Sequence, residues 1–149
     1  MNIKFVHVNL ISHSYKALAS FYINVFGCRE EPPVRDLKGE WVDNLTSLNN
    51  THIRGIHLLL PGYEKEGPTL EIFQYNETLE DQNKAVNKEG FGHIAFAVED
   101  VKGSVEKLLK YGGSLVGEIV DAYVEGVGTI NVAYCKDPEG NIIEIQKWA

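Results

Sequence analysis

The chain is short of most features that would place it in a specialised class. It has two cysteines, Cys28 and Cys135, in 149 residues. Two distant thiols without a CxxC build neither a disulfide framework nor a thiolate metal site, so both are expected to be buried and reduced. Positive charge is in deficit: 14 Lys and Arg stand against 21 Asp and Glu, a net charge of −7. An acidic surface repels phosphate backbones and argues against a nucleic-acid partner. No run approaches the ~20 apolar residues of a membrane helix. The start, Met1-Asn2-Ile3-Lys4, lacks the apolar stretch and cleavage site of a signal peptide, which points to the cytoplasm. In that setting the Asn-X-Thr matches at Asn44, Asn49 and Asn76 carry no weight as glycosylation sites. Gly126-Val127-Gly128 is too short for a phosphate loop.

What remains is a globular composition, 44% hydrophobic and 23% charged, in a length that suits one domain of ~100–200 residues. Residues 3–10 read as a strand. Ser12 and Ser14 offer N-caps for a helix whose face is Leu18, Phe21, Tyr22, Val25 and Phe26, the i, i+3, i+4, i+7, i+8 pattern. Gly27 closes it as a left-handed cap. A short strand from Cys28 ends at Pro32-Pro33, and the polar stretch 35–50 around Trp41 reads as a long loop of the lid or binding kind. Strands follow at 54–60 and 69–75.

After a polar connector the pattern restarts. A strand at 92–98 leads to a helix capped by Asp100, with Val101, Val105, Leu108 and Leu109 on its apolar face. Further strands are expected at 114–120, 129–135 and 142–147, the last two joined by the turn Asp137-Pro138-Glu139-Gly140. Phe5-Val6-His7-Val8 corresponds to Phe91-Gly92-His93-Ile94, and Leu70-Glu71-Ile72 to Ile143-Glu144-Ile145. The sequence is therefore an internal duplication of a βαβββ unit: a single α+β domain over 1–149, with module one at about 1–78, a connector at about 79–90 and module two at about 91–149.

Strand alternation places His7, Glu71, His93 and Glu144 at matched positions, on the face away from the helices. A carboxylate between apolar neighbours in mid-strand is costly unless paired or bound to a metal. Two imidazoles and two carboxylates make a mixed N/O donor set suited to one divalent ion, Zn, Ni, Co, Mn or Fe. His57 in the 54–60 strand is within reach of the cleft but reads first as a hydrogen-bonded structural histidine. His13 and His52 read as exposed.

These motifs together resemble the vicinal oxygen chelate superfamily, which includes glyoxalase I, methylmalonyl-CoA epimerase, extradiol dioxygenases and the bleomycin- and fosfomycin-resistance proteins. The resemblance runs along the whole chain, from Phe5-Val6-His7-Val8 and Phe21–Gly27 to the Asp137–Glu144 segment. It implies two βαβββ modules forming a half-closed, barrel-like cleft around one metal, with His7, Glu71, His93 and Glu144 as ligands. It also implies a small-molecule substrate whose neighbouring oxygens chelate the metal, an enediolate stabilised there, and Glu71 or Glu144 moving the proton. A homodimer is implied as well.

Because Glu71 fills the fourth ligand position, the resemblance favours the isomerase and lyase branch over ring-cleaving dioxygenases, and glyoxalase I above the rest. The chain departs from that enzyme at Ile11, where it carries an arginine for the glutathione carboxylate, and at Tyr75, where it carries an asparagine (Asn76 stands one further on). A methylmalonyl-CoA epimerase-like enzyme is the main alternative, with Arg35, Lys38 and Arg54 available to a CoA ligand. A metal-free drug-binding resistance protein would not need the four ligands.

Overall fold

The computed structural model describes all 149 residues, which fold as two compact units, Met1–Glu80 and Asp81–Ala149. In the first unit the order is β1 (His7–Ile11), α1 (Tyr15–Phe26), β2 (Arg29–Lys38), α2 (Glu40–Thr46), β3 (His52–Leu59) and β4 (Thr69–Tyr75). Its sheet runs β1-β4-β3-β2, with β1 parallel to β4 and the other pairs antiparallel. The second unit contains β5 (Ile94–Ala97), α3 (Val101–Lys110), β6 (Ser114–Leu115), β7 (Val120–Val124), β8 (Gly128–Lys136) and β9 (Ile142–Trp148). Its sheet runs β5-β9-β8-β6, with β7 also on β8 and β5 parallel to β9. The two strand orders are the same circuit, so the duplication holds at the level of topology.

One face of each sheet is closed by its helix. Leu18, Phe21, Tyr22 and Val25 of α1 are buried with Ile56, Leu58, Leu70 and Ile72. Val101, Val105 and Leu108 of α3 are buried in the second unit, as are Ala133, Cys135, Ile143 and Ile145. Burial of apolar side chains on this scale is the dominant stabilising term. Leu109 is largely exposed and stands outside the helix face assigned to it. Gly27 has φ 72, and the N–H groups of Gly27 and Cys28 donate to Ile23 O and Tyr22 O, the bonding of a left-handed helix stop. Asp100 caps α3 by accepting from Gly103 N at 3.0 Å. Ser14 occupies the N-cap of α1 without a side-chain bond of that kind. Ser12 Oγ instead accepts from Ser14 N.

The structure corrects several expected boundaries. β1 begins at His7 rather than residue 3, and Val6 is 60% exposed. β5 begins at Ile94, so His93 lies just before it. Pro32-Pro33 does not end β2: the strand continues to Lys38 through a register shift between Glu31 and Arg35, because residues without an N–H interrupt a ladder without stopping an edge strand. The stretch 35–50 is not a long loop; it holds the second half of β2 and the helix α2. The strand expected at 114–120 is two pieces, β6 and β7, on different stretches of β8. The outer strand is thus irregular in both units, by a register shift within β2 in the first and by division into β6 and β7 in the second, a usual treatment of a sheet edge.

Candidate metal centre

The face of the first sheet opposite α1 carries its polar residues in cross-strand rows. Registration puts His7 beside Thr69, Asn9 beside Glu71, and His57 beside Glu71 from the other side. Glu71 is 8% exposed, and a carboxylate so placed is tolerated only with partners. It has several. Asn9 Nδ2 donates to Oε1 at 2.8 Å, His57 Nε2 lies 2.7 Å from Oε2, and His7 Nε2 lies 3.5 Å from Oε1. The His7 and His57 rings meet edge to face with centroids 5.4 Å apart.

His57 is held at its far side by Thr69, with Nδ1 2.9 Å from Oγ1. With Nε2–H donating to the carboxylate, Nδ1 accepts from the threonine hydroxyl. The reverse tautomer donates Nδ1–H to Thr69 and turns a free Nε2 lone pair toward Glu71. Two lone pairs facing each other at that distance require a cation between them. A histidine fixed through its other nitrogen is the usual second support of a metal ligand. Donor atoms of His7, His57 and Glu71 all lie within 4.8 Å of one another. Two imidazoles and a carboxylate suit a divalent first-row ion, so the residues fit a metal. Burial lowers the His57 pKa below the ordinary imidazole value; Glu71 opposes that, and the charges of Arg35 and His7 reinforce it.

The second unit repeats this with fewer partners. His93 Nε2 lies 2.8 Å from Glu144 Oε2. Beside Glu144 the ladder places Ala95 and Tyr134, where the first unit has Asn9 and His57. Tyr134 packs on the His93 ring at 5.0 Å. Each predicted His/Glu pair is therefore brought together within its own unit: His7 with Glu71, and His93 with Glu144.

His57 is hydrogen-bonded, as expected of it, and it also reaches the site, where it joins the donor cluster in place of a purely structural role. The only signal was its alternation with Gly55 and Ile53, and that names a face once the register is known. Of the basic residues considered for a CoA ligand, Arg35 shares the His57 face, because it pairs with Gly55. Arg54 and Lys38 alternate to the other side, and Arg54 lies 4.0 Å from Asp36. Cys28 and Cys135 are free and buried, as expected. Burial pushes both thiols up to about 11. No helix is long and apolar enough to cross a membrane.

Residues 4–145 match the family model of the Glyoxalase/Bleomycin resistance protein/Dioxygenase superfamily. A "Probable lactoylglutathione lyase" from Vibrio parahaemolyticus is 33% identical over 85 residues, 56% of each chain. The aligned stretch thus spans about half the length of that relative. Among solved structures, a glyoxalase family protein from Bacillus cereus superposes with a TM-score of 0.83 at 24% identity, covering 99% of this chain and 95% of the other. The trypanothione-dependent glyoxalase I of Leishmania major superposes with a TM-score of 0.65 at 20% identity, covering 98% and 87%. At these identities the structural likenesses establish the fold.

Proposed function

The chain belongs to the Glyoxalase/Bleomycin resistance protein/Dioxygenase superfamily, and on that footing we propose that it is a divalent-metal-dependent isomerase or lyase of the glyoxalase I type. Its reaction is a proton transfer on a small carbonyl or thiohemiacetal substrate. The observation that carries the reading is Glu71, a carboxylate buried between two imidazoles and repeated as a His/Glu pair in the second unit. In this proposal His7, Glu71, His93 and Glu144 together hold one metal per chain, and the protein works as a cytoplasmic homodimer.

A divalent cation held by these residues would supply Lewis-acid polarisation of the substrate carbonyl and so acidify the adjacent C–H. The protein supplies the rest. Glu71 keeps a fixed orientation because Asn9 and His57 engage its two oxygens. Glu144 meets His93 alone, so it is the freer of the two carboxylates and the better placed to take a proton from one carbon and return it to the next. The lactoylglutathione lyase name of the Vibrio relative supports the reaction type.

The test joins metal analysis to turnover of hemithioacetals and acyl-CoA thioesters. One metal per chain is expected, most of it lost in His93→Ala and in His7→Ala. Two per chain would mean that each unit loads separately. Glu144→Gln should keep the metal and lose ~10²–10⁴-fold in rate and in solvent-deuterium incorporation. Unchanged metal content in His93→Ala, or full rate in both Glu144→Gln and Glu71→Gln, refutes the assignment. Light scattering showing a monomer at working concentrations would refute the dimer.

A further inference from the structure

We propose that a cavity beneath α2 receives an apolar group of the substrate, and that the site therefore takes a small carbonyl compound bearing a branched alkyl or aryl chain. This rests on the metal-dependent reading above and adds the class of substrate. The cavity, of about 410 Å³, is lined chiefly by Leu37, Trp41, Leu45, Leu48, Phe73 and Tyr75, a volume within the range of small-molecule sites.

Its position follows from the register. Glu71, Phe73 and Tyr75 alternate on one face of β4, and Ile53 and Leu37 join that face through the pairs Ile53↔Tyr75 and Leu37↔Ile53. Phe73 is one side-chain row, ~7 Å along the strand, from the carboxylate. Its ring also meets His57 edge-on, with centroids 6.5 Å apart. The cavity therefore adjoins the donor cluster on a single sheet face, with Phe73 lining the one and meeting His57 of the other. Gly55 makes room for that wall, since a Cβ there would stand 2.4 Å from Phe73 Cδ1.

The rim is apolar where solvent would favour polar residues. Trp41 is 55%, Leu45 74% and Leu48 51% exposed, around one concavity. Clustered exposure of this kind marks a binding surface rather than scattered apolar residues. The Thr46 hydroxyl is already spent, donating to Val42 O at 2.8 Å. The other polar side-chain groups of the lining are the Trp41 indole N–H and the Tyr75 hydroxyl, each at the end of a large apolar ring.

Hydroxamates test this, because they present two neighbouring oxygens and a variable tail. Calorimetry on metal-loaded protein should find benzohydroxamate at least ~10-fold tighter than acetohydroxamate, as burial of a phenyl ring predicts. That ratio should fall to near one in Leu45→Asp and in Trp41→Ala. In a Trp148→Phe background, where Trp41 is the remaining tryptophan, benzyl alcohol should shift the fluorescence saturably even without metal. A ratio near one in the unaltered protein, or one that survives both substitutions, overturns the cavity and leaves the metal reading intact. No hydroxamate binding alongside a saturable benzyl alcohol response that Leu45→Asp abolishes supports the cavity and removes the metal reading. Trp41 fluorescence that shifts on dilution while Leu45→Asp becomes monomeric means that a second copy occupies this face, and overturns the proposal.

Discussion

Replacing His57 by leucine in metal-free protein should cost about 2–4 kcal/mol. The residue is buried on one side by Phe73 and on the other by His7, and leucine has similar bulk, so little packing is lost. Two polar partners are stranded. Glu71 Oε2 loses its contact at 2.7 Å; a hydrogen bond to a charged group is worth about 1.5–3 kcal/mol. Thr69, also buried, loses the partner of its hydroxyl at 2.9 Å, about 1 kcal/mol more. Against a total stability of about 5–15 kcal/mol this is a large fraction.

Urea unfolding after chelator treatment would show it as a midpoint lowered by ~1–2 M, taking a slope near 2 kcal/mol per M. The second unit supplies the control. Tyr134 occupies the same ladder position beside Glu144, but it is half-exposed and packs on His93 through its ring. Tyr134→Phe should therefore cost under about 0.5 kcal/mol, the usual size of a surface change. A His57→Leu loss below that figure, or an equal loss in Tyr134→Phe, would refute the reasoning that Glu71 depends on its neighbours.

Other outcomes follow from single contacts. Asp100→Ala should destabilise the protein by about 1 kcal/mol, because the Gly103 N–H loses its cap, measurable by thermal unfolding. Gly55→Ala should cost at least about 1–3 kcal/mol, since the added Cβ would lie 2.3 Å from Ile72 O and backbone cannot yield as a side chain can. Cys28 and Cys135 should resist Ellman's reagent at pH 8, because burial holds both thiols at about 11. Their folded values lie above the unfolded ones, so the stability they contribute is complete below about pH 9 and is lost as pH rises toward 11; a double Cys→Ala variant should show a flatter alkaline profile. His57 in the metal-free protein should titrate below the usual imidazole range in proton NMR, because burial outweighs its attraction to Glu71. Its contribution is therefore present above the unfolded value and falls as the solution is acidified.

Much was determined locally and could be read from the sequence. The α1 stripe, its left-handed stop at Gly27 and the Asp100 cap depend on neighbours within a few residues. The alternation around Glu71 and Glu144 is equally local, and it put each carboxylate opposite its helix. The duplication made those local patterns recognisable twice, which is why the His/Glu pairs stood out without a structure. Other features depend on partners distant in sequence. β2 runs on past Pro32-Pro33 because β3 offers it a second stretch of ladder, and α2 forms over a sheet that supplies the apolar surface a seven-residue helix cannot provide for itself. His57 looked structural because alternation gives a residue a face but not a neighbour. Pairing with β4 set it against Glu71, and the register placed Asn9 and Thr69 around them. The asymmetry between the two carboxylates arises there as well: Ala95 and Tyr134 are unremarkable residues until β5 and β8 carry them to the positions that Asn9 and His57 hold in the first unit.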